Sequence, residues 1–350
     1  MSSDNHSTAA NSVGEAIRVV RPALSRWNFL RILDQGYLVA IVTVALSLVF
    51  AITLEGFATI SNLQNIGRES AVLGILSLGM AVVVIGRGID LSVVATWGFT
   101  AAVSATFISA GHSATSGLLV GLGVALVFGL FNGLLVAYVE IPPLFVTLAT
   151  SLLFVGGSQL LYVKNRMGNL EGAQFVVEIS RSQFFGVPTP VLMVSCLAIV
   201  IHMLMNHTGV GMTIYASGDK PAAAVLTGLP VRAATLFTYI VSATLAYLAG
   251  LISIGVAGLY DITIASAGTK LYDVFAVVVV GGVSLAGGRG KISGIVAGTV
   301  FMGVIVNGLV LMRLSNIEQN GLKALIILIA LVIESVLHPP DEETARPGEL

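Results

Sequence analysis

Apolar runs long enough to cross a bilayer follow one another along almost the whole chain, starting near Gly36, Glu69, Leu91, Gly117, Pro143, Pro190, Arg232, Leu271, Ile292 and Gly321. A helical span needs about 20 largely apolar residues, because the hydrocarbon layer offers no water to unpaired backbone groups. The stretch from Glu69 to Ala110 is too long for one crossing, and Gly86-Arg87-Gly88 supplies a turn at its middle. Counted as two helices, it brings the pattern to about ten spans. The expected fold is an all-α, polytopic transmembrane helix bundle.

Two polar interruptions stand out, Val163 to Thr189 and Thr208 to Pro230. The second reads TGVGMTIYASGDKPAAAVLTGLP and predicts a short helix with legible ends. Asp219 is placed to cap its N-terminus, Pro221 suits the first turn, and Gly228 suits the residue just past the end. Ala222, Val225, Leu226 and Leu229 then fall at i, i+3, i+4 and i+7, on one apolar stripe. Such a stripe either lies against its own bundle or receives a partner.

Composition sharpens the class. Hydrophobic residues make up 56% of the 350 residues and charged residues 10%, and the mean hydropathy is +0.95. A net charge of −1 leaves no basic face for nucleic acid. The one cysteine, Cys196, lies in an apolar run, and the five histidines have no ligand spacing, so neither a disulfide framework nor a metal site is expected. Gly287-Gly288-Arg289-Gly290-Lys291-Ile292 is glycine-rich and basic but lacks the phosphate-loop spacing. With no nucleophile elbow, HExxH or paired carboxylates either, no enzyme and no cofactor is expected, and the chain has no phosphate loop of its own to bind ATP. Aromatic residues are only 7%, few for a site that grips a sugar by stacking, which points to recognition on another polypeptide.

Positive charge orients the bundle. With an even number of spans, both termini share a side. Placing them inside puts Arg18, Arg21, Arg26, Arg31, Arg87, Lys220, Arg232, Arg289 and Lys291 on inner segments, so both termini are expected to be cytoplasmic. Residues 1–16 are polar and expected to be a disordered tail, 17–35 a basic helix on the membrane surface, 36–338 the membrane domain and 339–350 a second cytoplasmic tail. The loop at 163–189 then faces outward and the segment at 208–230 inward.

Polar groups inside a membrane mark either packing or a pathway. Asp90, in Gly88-Ile89-Asp90-Leu91-Ser92, reads as a pathway group at a helix break or as the cap of the helix beginning at Leu91, paired to Arg87. Asp273 carries the same ambiguity. Asn132, Asn307 and Gln159 are interhelical hydrogen-bonding groups or path-lining ones. Ala81 to Gly86 echoes Ala276 to Gly281, and Asn132-Gly133-Leu134-Leu135 echoes Asn307-Gly308-Leu309-Val310, the kind of self-similarity found in transporters built from repeats.

Four segments carry a resemblance from about Ile60 to Leu337. They are Gly88-Ile89-Asp90-Leu91-Ser92-Val93; Asn132-Gly133-Leu134-Leu135 with Ile141-Pro142-Pro143-Leu144-Phe145-Val146-Thr147-Leu148; Ala216-Ser217-Gly218-Asp219-Lys220-Pro221-Ala222-Ala223 with Thr227-Gly228-Leu229; and Gly281-Gly282-Val283-Ser284-Leu285-Ala286-Gly287-Gly288-Arg289-Gly290. In that order they resemble the membrane permease subunits of bacterial ABC importers for monosaccharides of the ribose, galactose and xylose type. The resemblance implies an inner-membrane subunit, paired in a homodimer, that receives its solute from a periplasmic binding protein and is driven by a separate cytoplasmic ATPase. It places ATPase docking on the segment from Gly209 to Leu229, with Gly209, Tyr215, Ala216, Gly218, Asp219, Pro221, Ala222, Ala223, Leu226 and Gly228 as its candidates. Asp90, Ser92, Asn132 and Asn307 are the candidates for the path or gate. Met212 stands where such permeases often carry arginine, Asp219 where asparagine is common, and Val94 where a glycine is usual. The competing class is an ion-gradient-driven secondary transporter of a small polar solute, with Asp90 as its coupling carboxylate.

Overall fold

The computed structural model describes residues 35–161, 167–170, 172–261 and 269–337. The tail expected at 1–16, the basic helix at 17–35 except its last residue, and the tail at 339–350 lie outside these. Among the described residues run helices α1 (Gln35–Thr53), α2 (Ile60–Ile85), α3 (Val93–Ser109), α4 (Ala114–Ala137), α5 (Pro143–Leu161), α6 (Gln174–Arg181), α7 (Thr189–His207), α8 (Gly209–Asp219), α9 (Pro221–Leu226), α10 (Val231–Ala257), α11 (Thr269–Val280), α12 (Ile292–Leu311) and α13 (Asn316–Leu337). The all-α expectation holds, with four short strands: β1 (Met167–Asn169), β2 (Gln183–Phe184), β3 (Val187–Pro188) and β4 (Leu259–Asp261). Six helices, α1, α2, α4, α7, α10 and α12, are long and apolar enough to cross a membrane, and α3 and α5 are shorter apolar helices.

The molecule is built around α2. From Ala71 to Ile85 every residue is buried, and Ser77, the one polar side chain in that stretch, donates its hydroxyl to the Leu73 carbonyl at 2.8 Å. A helix apolar on all sides belongs inside a bundle. Helix α10 packs along it and also against α3, α4 and α6. Small residues allow that approach: a Cβ on Gly79 would sit 3.1 Å from the Ser242 Cα, and one on Gly129 only 2.7 Å from the Tyr239 carbonyl oxygen. Helices α1 and α7 stand at the rim, with most of their apolar residues at least partly exposed, so their outer faces are left to lipid.

Helix α13 opens with a capping box, in which Glu318 accepts the Ser315 backbone N–H at 2.7 Å and Ser315 accepts the Glu318 N–H at 3.4 Å. Its buried side meets α11, where Lys323 Nζ lies 2.8 Å from Asp273 Oδ1 with both side chains 8% exposed.

The expected loop at 163–189 is built rather than plain. Outside 162–166 and 171, which are not described, β1 pairs antiparallel with β4 in the register Met167↔Asp261, Gly168↔Tyr260 and Asn169↔Leu259. Helix α6 buries Val176 and Ser180 against α10, and its Arg181 Nε donates to the Val256 carbonyl at 3.0 Å, covering an end group of α10. The β2–β3 hairpin is fastened to the start of α2, where the Gln64 and Gln183 amides pair reciprocally at 3.1 and 2.9 Å. Helix α2 begins at Ile60 rather than Glu69, capped by Thr59, whose hydroxyl accepts the Asn62 N–H at 3.3 Å. Its first turns are polar because they serve this hairpin and not the lipid.

Candidate functional site

Helix α2 stops at Ile85 and the chain turns through Gly86–Ser92 before α3. Arg87 N–H bonds the Val84 carbonyl and Gly88 N–H the Val83 carbonyl, both at 2.9 Å, with Arg87 in the left-handed region at φ 66°. This is a Schellman-type ending, normally formed by glycine at that position. Helix α11 ends the same way: Gly282 N–H bonds Val279 O at 3.0 Å and Val283 N–H bonds Val278 O at 3.1 Å, with Gly282 at φ 77°. The echo between Ala81–Gly86 and Ala276–Gly281 thus corresponds to one shared local structure.

Beyond the first break sits a buried polar knot. Asp90 is 2% exposed. Its Oδ1 accepts the Ser92 backbone N–H at 3.0 Å and the Ser92 hydroxyl at 2.6 Å, and its Oδ2 accepts the Ser242 hydroxyl at 2.7 Å. Asn132 Nδ2 donates to Ser92 Oγ at 2.8 Å, and the Thr147 hydroxyl donates to the Ile89 carbonyl at 3.0 Å. The knot therefore ties the α2–α3 break to α4, α5 and α10. Its carboxylate is held by hydroxyl and backbone donors rather than by Arg87, whose side chain is exposed. Helix α3 starts at Val93 with Ser92 as its N-cap residue, so Asp90 acts on the helix end from two residues upstream, not as the cap of a helix at Leu91. The Asn132 Oδ1 is buried in this region with no hydrogen-bond partner among the described residues.

The segment at 208–230 is two helices, which corrects the expectation of one helix capped by Asp219. Thr208 caps α8 by accepting the Gly211 N–H at 3.1 Å, and Asp219 is the last residue of α8. Lys220 forms the joint, with its N–H bonded to Ala216 O at 3.1 Å; it precedes α9 with no side-chain cap, and Pro221 takes the first turn as expected. Asp219 is committed to the earlier helix because α8 is pinned to the bundle by its buried face of Gly211, Thr213, Ile214, Ser217 and Gly218. At the other end Gly228 adopts φ 79° and closes α9 through its N–H to Val225 O at 3.0 Å.

The two helices present different sides. Tyr215 is half-buried and donates its hydroxyl to Gly290 O at 2.8 Å, and burial raises its pKa above the usual phenol value. On α9 only Ala224 is buried. Ala222, Ala223, Val225 and Leu226 are exposed, Leu226 by 88%. Between α9 and the bundle lies a cavity of about 920 Å³ whose lining includes Arg87, Tyr138, Pro221, Val225 and Leu229. Arg232 and Glu140 pair at 2.6 Å on its rim.

The model of a family described as the branched-chain amino acid transport system / permease component matches residues 62–333. The chain belongs to this permease family. It is 38% identical over 276 residues to a probable ABC transporter permease protein of Sinorhizobium fredii, covering 78% of this chain and 81% of that one. It is 32% identical over 307 residues to the ribose import permease protein of Escherichia coli, covering 87% and 94%. The L-arabinose transport system permease protein of Escherichia coli matches at 31% over 311 residues, covering 89% and 93%. No solved structure matches significantly. The protein is a multi-pass permease of the inner membrane.

In this permease the candidate path residues separate. Asp90, Ser92 and Asn132 form one cluster. Asn307 instead exchanges two hydrogen bonds of 2.9 Å with Asn62 near the start of α2, and α2 is 26 residues long, roughly 39 Å. Asn307→Ala is expected to cost only about 0.6–2 kcal/mol in thermal unfolding and to leave transport intact. Reading the sequence alone missed Ser242 and Thr147, whose only signal is a hydroxyl within an apolar helix, and missed Lys323 as the partner of Asp273.

Proposed function

We propose that this chain is the path-forming subunit of an ABC importer for a monosaccharide, working as a homodimer in a bacterial inner membrane. A periplasmic binding protein delivers the sugar, and a cytoplasmic ATPase that binds on the inner face supplies the energy. The match to ribose and arabinose import permeases along nearly their whole lengths carries this reading. Ten spans with cytoplasmic termini fit if α3, α5, α11 and α13 join the six long helices, and the charge of the inner segments supports that orientation.

Docking falls on the outward surface of α9, through Ala222, Ala223 and Leu226, because an exposed apolar helix on a polar face is costly unless covered. Tyr215 and Gly218 belong to the inward side of the same segment. Asp90, Ser92 and Asn132 brace the gate at the helix break.

The test is co-purification of the ATPase subunit with Ala223→Arg and Leu226→Asp. Truncating or charging a central contact costs about 2 kcal/mol or more, roughly 30-fold in affinity, so both variants are expected to lose the ATPase and ATP-dependent uptake. Undiminished co-purification would refute the docking surface. Uptake by the chain alone, without ATP or binding protein and collapsed by an ionophore, would refute the importer reading in favour of ion coupling.

A further inference from the structure

Three pieces of backbone meet where α8 ends. Gly288 N–H, in the loop after α11, donates to the Ile85 carbonyl at the end of α2 at 2.8 Å, filling an acceptor that the helix itself leaves free. Gly218 on α8 lies against both partners of that bond: a Cβ there would overlap the Ile85 carbonyl oxygen and sit 2.5 Å from the Gly288 nitrogen. A Cβ on Gly288 would in turn come within 2.5 Å of the Asp219 backbone, and one on Gly287 within 2.9 Å of the Gly218 carbonyl oxygen and the Arg87 Cβ. Tyr215 adds its hydrogen bond to Gly290 from the same helix.

We infer that Gly218, Gly288 and Tyr215 are positioning residues that lock α8 to both helix breaks, so that α8 and the two breaks move as one rigid joint. The inference rests on the docking reading above and deepens it. Sliding α8 past either loop would separate backbone from backbone at van der Waals contact and break the Tyr215–Gly290 bond, whereas tilting the three together preserves every contact. Each break leads straight into the next helix: the first into the Asp90 knot and α3, the second through Lys291 into α12. A displacement of α9 and α8 by the ATPase is thereby delivered to α3 and α12 at the same moment. The shared Schellman-type endings are what give the two loops the same shape at this meeting point.

The experiment uses the full complex, with ATPase and binding protein, in lipid nanodiscs. In a Cys196→Ser background, spin labels are placed on cysteines replacing Met212 on α8, Ala286 in the second loop and Phe185 in the outer hairpin, all exposed positions. The expected result is a Met212–Ala286 distance that is unchanged between nucleotide-free and ATP-trapped states while the Ala286–Phe185 distance shifts. A change in Met212–Ala286, or no change in either distance, overturns the joint. Gly218→Ala is expected to keep the ATPase bound but to lower uptake and substrate-stimulated ATP hydrolysis about 10-fold or more, with Tyr215→Phe losing a smaller share. Uptake by Gly218→Ala equal to wild type also overturns it. If Gly218→Ala does not fold, the label distances decide, since they are read with Gly218 intact. Failure of the unsubstituted chain to hold the ATPase sinks the docking reading instead.

Discussion

Asp90→Ala is expected to lower stability by about 3 kcal/mol or more, because it strands three buried donors at once and each costs about 1–3 kcal/mol. Those donors are the Ser92 N–H, the Ser92 hydroxyl and the Ser242 hydroxyl. The loss should appear as a lower thermal-unfolding midpoint in detergent and as reduced uptake, since the break and α10 come apart together. Asp90→Asn retains an acceptor oxygen and near-identical shape, so it should recover a large part of both. An Asp90→Ala protein as stable as wild type would show that the knot holds nothing together. An Asp90→Asn protein of normal stability but no uptake would instead assign the carboxylate a role in transport itself.

The second large effect is expected at Lys323. Its ammonium and the Asp273 carboxylate neutralise one another at 2.8 Å within the α11–α13 contact. Removing one member leaves the other buried and unpaired, which costs about 3–5 kcal/mol, whereas replacing both by apolar groups of similar size is close to neutral or stabilising. Lys323→Ala should therefore express poorly and unfold early, and Asp273→Leu combined with Lys323→Met should restore the midpoint. Equal stability of Lys323→Ala and wild type, or a double variant worse than either single one, would rule out this account.

Much of the bundle is legible in the hydrophobic pattern, because a bilayer-sized apolar run constrains the chain more tightly than any local propensity. The break at Gly86–Gly88 is visible for the same reason, as an interruption in a run too long for one span. What escapes the pattern is whatever depends on a distant partner. Ser61 to Glu69 reads as polar connection yet is helix, since its polar groups answer the β2–β3 hairpin through Gln64 and Gln183. Asp219 carries the chemistry of a cap, but Thr208 begins a helix eleven residues earlier and that helix runs through it. The apolar stripe expected from Ala222 to Leu229 divides: Leu229 falls past the end of α9 and with Val225 lines the cavity toward the bundle, while Ala222 and Leu226 are exposed. Asp90 illustrates the middle ground. Its importance is readable from its place beside a break, but Ser242, which takes its second oxygen, lies 152 positions along the chain.

Helix α10 is 27 residues long, and it is gripped at both extremities. At one, Arg181 of α6 clasps its final turn; at the other, it follows within a few residues of α9. Ser242 lies between. A torque applied anywhere along this strut is felt across the full thickness of the bilayer without passing through a flexible linker. A tilt imposed at its α9 end is therefore carried to its Arg181 end, because no break interrupts the helix between them.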